Sequence, residues 1–335
     1  MGEAPYRGFP AARGGMHMRK ETFFFDSRDG QSKIHAVRYM PDTEDVIAVV
    51  QIIHGMAEYI ERYEEFAQFL TDKNMVVVGE DHLGHGKTVV PGGMYGYFCE
   101  EDPATVVVRD AHRLKKLMQG VYPDVPYIIL GHSMGSFILR NYMCRYGSGI
   151  AAAVIMGTGM QPHGLIRFSK GLAALQKTLF GSRHVSDFMN LCAFGTYNKR
   201  IKPVRTIFDW LTRDEEIVDR YVADPLCGFT FTVNGFQTLF ELIDRLYKRE
   251  NLEKIPENLP VLVVSGGEDP VGDYGKGVQK AVDSLRLAGL KKVQMKLYEQ
   301  DRHEILNELD RATVMQDIYD WIMDVNNLKG GDCNE

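Results

Sequence analysis

Short runs rich in apolar residues alternate with amphipathic stretches along most of the chain. The apolar runs are typical of strands buried within a sheet, and they occupy residues 46–53, 75–78, 127–130, 151–156, 260–265 and 293–298. Two further strands are predicted at 21–26 and 33–39, around a turn that contains the hairpin signal Asp29-Gly30. Helical periodicity is present at 63–71, 105–119, 136–145 and 305–328. This alternation predicts an α/β fold, with a mostly parallel sheet and helices on both of its faces.

The alternation is interrupted between residues 160 and 245, where only helical stretches with polar breaks occur. An insertion that follows the carboxyl end of a strand lies over the ligand side of an open α/β sheet. We therefore expect a helical cap at 160–245, between a first part of the core at 21–159 and a second part at 246–328. Residues 1–20 and 329–335 are expected to be tails, the first of them disordered.

Composition narrows the class of protein. The 335-residue chain has a net charge of −6, which argues weakly against nucleic acid as a partner, and no apolar run is long enough for a membrane-spanning helix. The five cysteines include no CxxC pair, which predicts reduced thiols, a cytoplasmic location and no metal site.

One stretch carries the clearest chemistry. The predicted strand 127–130 ends in Gly131-His132-Ser133-Met134-Gly135, and a helical stretch follows. Strand, sharp turn and helix with a serine at the apex are the context in which a G-x-S-x-G motif presents a nucleophile. The turn leaves no room for side chains at Gly131 and Gly135, and it directs the Met134 N–H towards a developing oxyanion.

A serine nucleophile needs a base, and the base needs an acid that orients it. In this type of fold the chain order is serine, acid, histidine. His303 follows the last predicted strand and is the expected base. Asp269, on a turn after the strand 260–265, is the expected acid, and the competing carboxylates are Glu268, Asp273 and Asp301.

A second oxyanion donor usually comes from a loop after an early strand. The strand 46–53 ends in His54-Gly55-Met56, which makes the Met56 N–H the expected donor beside that of Met134. Histidines in turns of this kind usually form hydrogen bonds with buried backbone groups. We expect this for His54, His85 and His132, whereas His82 could serve structure or chemistry.

The cap combines apolar residues with interspersed basic ones. The apolar residues of its first helical stretch are Leu165, Ile166, Phe168, Leu172, Leu175, Leu179 and Phe180. The favoured interpretation is a lid packed on its own pocket, and the alternative is a transient contact of the cap with a membrane surface. The expected substrate-binding residues are Tyr59, Met160, Phe188, Met189 and Phe194.

Several motifs occur together in one order. They are His54-Gly55-Met56-Ala57-Glu58, Arg62-Tyr63, Asp81-His82-Leu83-Gly84-His85-Gly86, Gly131-His132-Ser133-Met134-Gly135, Gly267-Glu268-Asp269, His303-Glu304 and, in the cap, Trp210-Leu211-Thr212-Arg213-Asp214 with Asp224-Pro225-Leu226. Over 21–328 the sequence resembles the monoacylglycerol lipase and lysophospholipase branch of the α/β hydrolases, a branch grouped with serine aminopeptidases. It departs from that branch at three places. Ala57 stands where the branch often has Gly, Tyr59-Ile60 where it often has His-Ser, and Ser136 where it often has a second Gly.

The resemblance implies an eight-stranded α/β-hydrolase sheet with one reversed strand, a helical cap and no cofactor. It also implies Ser133 as nucleophile, Asp269 as acid, His303 as base, and the amides of Met56 and Met134 as oxyanion hole. We therefore expect a serine hydrolase that cleaves esters of single-chain lipids through an acyl-enzyme, with a small lipid ester as its partner. The alternatives are a general carboxylesterase, a thioesterase, a peptidase and a non-catalytic binding protein, and the oligomeric state stays open.

Overall fold

The computed structural model describes residues 18–327. Most of the predicted N-terminal tail and the whole of the C-terminal one lie outside this range. The strands are β1 (Arg19–Asp26), β2 (Lys33–Met40), β3 (Ala48–Ile53), β4 (Met75–Glu80), β5 (Tyr127–His132), β6 (Ala152–Met156), β7 (Val261–Gly266) and β8 (Val293–Tyr298). Each corresponds to a predicted strand, with ends that differ by at most two residues.

All eight strands belong to one sheet in the order β1-β2-β4-β3-β5-β6-β7-β8. The pairs from β4 to β8 are parallel, whereas β2 is antiparallel to both β1 and β4. The expected eight-stranded, mostly parallel sheet with one reversed strand is thereby confirmed. The central strands β3, β5 and β6 are buried along their whole length, which explains their continuous apolar sequence.

The helices are α1 (Glu64–Thr71), α2 (Pro103–Val121), α3 (Met134–Tyr146), α4 (His163–Phe180), α5 (Asp187–Phe194), α6 (Glu215–Ala223), α7 (Val233–Asp244), α8 (Arg249–Leu252), α9 (Lys276–Leu287) and α10 (Arg311–Val325). One core contains buried residues of α1 and α10, and the other contains those of α2, α3 and α9. Helices therefore cover both faces of the sheet, as the alternation predicts.

Two helices, α9 and α10, differ most from expectation. The stretch 305–328 is not one helix, because Ile305–Asn307 forms a 3-10 turn and α10 begins only at Arg311. Helix α9 was not predicted, although its face of Val278, Ala281, Val282 and Leu285 is buried. Leu328 itself lies outside the described residues.

Between β6 and β7 the chain adds no strand to the sheet. Helices α4 to α7 fall within the segment expected to be the cap, but α7 also packs into the main core through Phe236, Leu242 and Ile243. The division of the chain at 160 and 245 stays a prediction. None of the helices in the described range 18–327 is both long and apolar enough to span a membrane.

Candidate active site

Ser133 lies at the sharp turn between β5 and α3. Its backbone has φ 54° and ψ −120°, a conformation that non-glycine residues rarely adopt and that is found where a surrounding structure holds strain. The turn is held by hydrogen bonds from the Ser133 N–H to the Met156 carbonyl (3.0 Å) and from the Ser136 N–H to the Ser133 carbonyl (2.9 Å). The strain lifts the serine side chain out of the sheet edge.

The glycines of this turn are needed for close approach. A Cβ on Gly135 would lie 2.0 Å from the Ile53 carbonyl oxygen, and one on Gly131 would lie 2.4 Å from the Gly135 carbonyl oxygen. Both distances involve backbone, which cannot move aside as a flexible side chain can. The elbow therefore packs directly on the end of β3, where the chain also turns into the second loop of the site.

His303 lies on the loop after β8, with its imidazole buried. Its Nδ1 is 2.9 Å from Oδ2 of Asp269, a carboxylate buried on the loop after β7. Asp269 also accepts hydrogen bonds from the Val271 N–H (2.8 Å) and the Ser265 hydroxyl (3.2 Å). The Nε2 of His303 has no hydrogen-bond partner within residues 18–327, so this nitrogen is free to exchange a proton on the cavity side.

The competing acids lie elsewhere. Glu268 is half exposed and approaches Arg200 at 3.7 Å, and Asp301 is bonded to Arg213. No hydrogen bond joins Asp273 to His303 in the part of the chain that the structure describes. Of the four carboxylates considered from the sequence, Asp269 alone is bonded to the His303 ring among the described residues.

Met56 and Met134, whose backbone N–H groups are the expected oxyanion donors, both border the same cavity as Ser133. Neither donates a hydrogen bond to another group in residues 18–327. Met134 begins α3, where N–H groups have no partner within the helix. Two free donors beside a serine are the arrangement that stabilises an oxyanion.

Ala57, where the related sequences often have Gly, has φ 53°. This left-handed conformation explains the usual glycine, because a Cβ is disfavoured there. The Ala57 carbonyl accepts hydrogen bonds from the Gly228 N–H and the Tyr221 hydroxyl, both at 3.0 Å. Contacts with the cap segment thus hold the strained loop in place.

A buried ion network lies below the site. Glu58 accepts hydrogen bonds from the Gly55 N–H (2.6 Å) and Arg62 (2.7 Å), and it lies 3.2 Å from Nδ1 of His132. Burial by itself would raise the pKa of Glu58, but the hydrogen bond with His132 and the charge of Arg62 hold this pKa well below its ordinary value. Burial by itself would lower the pKa of His132, and Glu58 instead raises it. The network connects the Met56 loop to the elbow.

The histidines near the early strands serve structure. The ring of His54 contacts the Gly55 carbonyl (2.8 Å) and accepts the His82 N–H (3.1 Å). The Nε2 of His82 lies 3.2 Å from the His54 carbonyl, and the Nδ1 of His85 lies 3.0 Å from the Leu83 carbonyl. Burial lowers the pKa of His54 and takes that of His85 to about 3, so both are neutral. The contact of the His82 ring with the His54 carbonyl favours the structural alternative for His82.

A cavity of about 530 Å³ opens over Ser133. Most of its wall is apolar or aromatic and comes from the segment between β6 and β7. This part of the wall includes Ile166, Leu172, Met189, Phe194, Tyr197, Trp210, Leu239, Phe240 and Ile243. Polar residues also border the cavity: Ser133, His303, Glu58 and Glu304 and, from other parts of the wall, Gln161, Ser169, Asp187, Asn190, Asn198 and Thr230. A volume and a lining of this kind are usual for a small-molecule site.

Two of the expected substrate-binding residues, Met189 and Phe194, border this cavity. The other three, Tyr59, Met160 and Phe188, are not on its wall. Tyr59 turns away and donates its hydroxyl to Asp224 (2.7 Å). Phe188 is 53% exposed, because it precedes Met189 on α5 and therefore points to another side of the helix. Met160 is not on the cavity wall, and its backbone lies beside Gly277 at the start of α9.

Trp210 is a site residue that sequence reasoning missed. Its ring lies 5.1 Å from that of His303 and 4.9 Å from that of Tyr197, between ring centroids. The pattern Trp210-Leu211-Thr212-Arg213-Asp214 is recognisable as a family motif, but nothing in it indicates contact with a histidine about 90 residues later. Three carboxylates also lie close together at Asp301, Glu308 and Asp310, and Arg213 is bonded to all three.

Comparison with known proteins shows which family has this sequence and fold. The family model described as serine aminopeptidase S33 matches residues 44–310. The monoacylglycerol lipase of Mycolicibacterium smegmatis is 30% identical over 286 residues, which cover 85% of this chain and 91% of the relative. The human monoglyceride lipase is 28% identical over 288 residues, which cover 85% of each chain.

Among solved structures, a thermostable carboxyl esterase from Bacillus coagulans superposes with a TM-score of 0.85. It is 29% identical, and the match covers 92% of this chain and 99% of the esterase. The similarity therefore extends over the sheet, the elbow and the cap segment together.

Proposed function

Because the chain belongs to the serine aminopeptidase S33 family of α/β hydrolases, in its monoacylglycerol lipase branch, we propose that it cleaves the esters of single-chain lipids. It is a carboxylic ester hydrolase that acts on lipid esters. The observation that supports the finer assignment is the cavity itself, which is lined mainly by apolar groups and is bordered by both Ser133 and His303.

In the proposed mechanism Ser133 attacks the ester carbonyl while Nε2 of His303 accepts its proton. Asp269 holds the opposite ring nitrogen and stabilises the imidazolium that forms. The N–H groups of Met56 and Met134 bind the oxyanion. His303 then returns the proton to the leaving alcohol, and an acyl-enzyme on Ser133 remains. Water activated by the same histidine releases the fatty acid and restores the hydroxyl.

The charges around the cavity favour an ester over a peptide with a free amine. An aminopeptidase needs an unpaired carboxylate to hold the substrate ammonium. Of the three carboxylates on the wall, the two buried ones, Glu58 and Glu304, are both bonded to Arg62, and Asp187 is exposed to solvent on α5. A neutral headgroup such as glycerol therefore suits this surface better than an amine.

The size of the cavity favours one acyl chain. Its apolar wall is formed by residues of α4, α5 and α7, and burial of each CH₂ contributes about 0.8 kcal/mol. One enclosed space of about 530 Å³ accommodates a single chain more readily than two or three. Monoacylglycerols and lysophospholipids are therefore the proposed substrates.

The outer surface of α4 supports the membrane contact that the sequence left as the less favoured alternative. Leu175, Leu179 and Phe180 are between 55% and 63% exposed, whereas Ile166 and Ala173 on the same helix are buried. A lid packed only on its own pocket has no need of this outer apolar surface. We therefore propose that α4 rests transiently on the lipid surface from which the substrate enters.

The test is labelling with a fluorophosphonate, followed by turnover of monoacylglycerol. We expect the wild type to be labelled at Ser133 and to hydrolyse the lipid. Ser133→Ala should keep the fold, lose the label and lose about 10⁶ in kcat, the size of the loss when a triad nucleophile is removed. A protein that folds but is not labelled would be a binding protein, and fast cleavage of acetyl esters or thioesters alone would favour the alternative enzymes.

A further inference from the structure

A segment of the cap lies along the loop that carries His303. The Trp210 carbonyl accepts a hydrogen bond from the His303 N–H (3.4 Å), and the Leu211 carbonyl accepts one from the Glu304 N–H (2.7 Å). Arg302 contacts the same segment, and its Nη1 donates to the carbonyls of Asp209 (2.6 Å) and Thr212 (3.0 Å). The catalytic base is therefore held by backbone that is distant in sequence and belongs to the insertion.

Arg213 fixes the end of this segment. Its Nε donates to Oε2 of Glu308 (2.8 Å), and its Nη2 bonds to both Asp310 (2.8 Å) and Asp301. Its backbone N–H donates to Oε1 of Glu308 (3.0 Å). The same oxygen accepts the N–H of Arg302 (2.8 Å). One buried carboxylate thus joins the residue before His303 to the cap.

The carboxylates that Arg213 contacts lie both before and after His303 in the sequence. Asp301 is two residues before the histidine and Glu308 five residues after it, and both are buried. Burial and the charge of Glu308 raise the pKa of Asp301 to about 7 even with Arg213 present, so without this cation the two carboxyl groups would have to share a proton or move apart. A shift of about 1 Å in a catalytic group is enough to cost roughly 10²-fold in rate.

We propose that Arg213 is a positioning residue for His303, which it holds in line with Ser133 through Glu308, Asp301 and the backbone of the segment 209–213. The inference rests on the proposed function, because it concerns the histidine of that triad. Arg213 is absent from the cavity wall, so it acts through the loop and does not touch the substrate.

The experiment compares Arg213→Gln and Arg213→Lys with the wild type. The matched control is Arg205→Gln, which removes another cap arginine whose ion pairs, with Asp219 and Glu215, lie on the surface. kcat and KM are measured with a soluble p-nitrophenyl ester at a temperature below the melting temperature of every variant. The rates are divided by the concentration of active sites, which is determined by titration with a fluorophosphonate. The downfield proton signal of the His303–Asp269 hydrogen bond is recorded by NMR.

We expect Arg213→Gln to lower kcat about 10²-fold, the loss expected from misplacement, while KM changes little and the downfield signal is lost or shifted. Arg213→Lys keeps the charge but not the several directed N–H groups, so it should recover only part of kcat. Arg205→Gln should match the wild type in all three measurements.

A lower melting temperature with wild-type kcat and an unchanged NMR signal would overturn the proposal and leave Arg213 a purely structural residue. If Arg213→Gln does not fold, Arg213→Lys decides by the same measurements. A wild type that is neither labelled nor active would instead refute the proposed function, so the two failures are distinguishable.

Discussion

The Arg62 guanidinium donates two hydrogen bonds of 2.7 Å to the carboxylate of Glu304, the residue directly after His303. A third, also of 2.7 Å, goes to Glu58 on the Met56 loop. Arg62 therefore joins the loop that carries His303 to the loop that carries Met56. Its guanidinium also lies 4.8 Å from the ring centroid of Tyr221 in the cap segment.

Removal of this arginine should be strongly destabilising. Arg62→Met leaves two buried carboxylates without their cation, a change that typically costs about 3–5 kcal/mol in the free energy of unfolding. The matched control is Arg249→Met, which breaks an exposed pair with Glu253 and should cost less than about 1 kcal/mol. Urea unfolding at pH 7 measures both, and equal small losses would show that the network carries little stability.

The same network predicts the response of stability to acid. Burial alone would raise the pKa of both Glu304 and Glu58. Arg62 instead holds the pKa of Glu304 below the ordinary 4.5, and His132 and Arg62 together hold that of Glu58 below it. As pH falls the unfolded chain therefore takes up these protons first. The stabilisation should be complete above about pH 4.5 and lost below it. In Arg62→Met, if it folds, burial should raise the pKa of Glu304 above its value in the unfolded chain, so the folded state takes up this proton first and the loss in acid should vanish or reverse, which unfolding curves at a series of pH values will detect.

Asp269→Asn should lower kcat by about 10⁴, the size of the loss when the orienting acid of a triad is replaced. The amide cannot stabilise the imidazolium that forms when His303 takes the proton. Asp273→Asn is the matched control on the same loop and should have little effect. A larger loss in the control than in Asp269→Asn would show that the acid is misassigned.

Ester hydrolysis should increase with pH and then level off. A histidine that acts as base must be neutral to accept a proton, and side chains of this type lose their charge between about pH 5 and 8. The measurement is kcat/KM for an uncharged p-nitrophenyl ester, corrected for hydrolysis by the buffer. A flat profile over that interval would contradict the role of His303 as base.

Local sequence was enough to predict the sheet and to propose the triad. Strands such as β3, β5 and β6 are buried on both faces, so their apolar runs are unambiguous. Asp269 could be chosen because it follows a strand on a turn bounded by Gly267 and Pro270. The missed helix α9 has mean polarity high enough to pass for a loop, since only one of its faces packs on the sheet.

The cap residues could not be assigned in the same way. Helix α5 is apolar on most sides, so its sequence does not indicate that Met189 faces inward and Phe188 outward. The contacts of Trp210 and Arg213 with the His303 loop join positions about 90 residues apart, and only the folded chain brings them together. Tyr59 was misplaced because its partner, Asp224, is 165 residues away.

The outward face of α4 predicts how the enzyme meets its substrate. The double variant Leu179→Asp, Phe180→Ser should bind vesicles about tenfold or more weakly, because each apolar side chain inserted in lipid contributes about 1.5–3 kcal/mol at most. Hydrolysis of a soluble ester should be unchanged. The matched control Leu287→Asp alters an equally exposed leucine at the end of α9. Weaker vesicle binding by the control as well would show a non-specific effect of surface charge.

The cavity wall predicts the dependence on acyl length. In the wild type, kcat/KM for p-nitrophenyl esters should rise by up to about fourfold per added CH₂ until the cavity is full. Leu172 borders this cavity, so Leu172→Trp should fill part of it and move the optimum to shorter chains. Leu175→Trp, three residues further on α4, places the same bulk on the 55% exposed outer side and should leave the optimum unchanged. Monoacylglycerol should be a better substrate than di- or triacylglycerol for the wild type. An optimum at acetyl esters, or one that both tryptophan variants shift equally, would show that the acyl chain does not bind here.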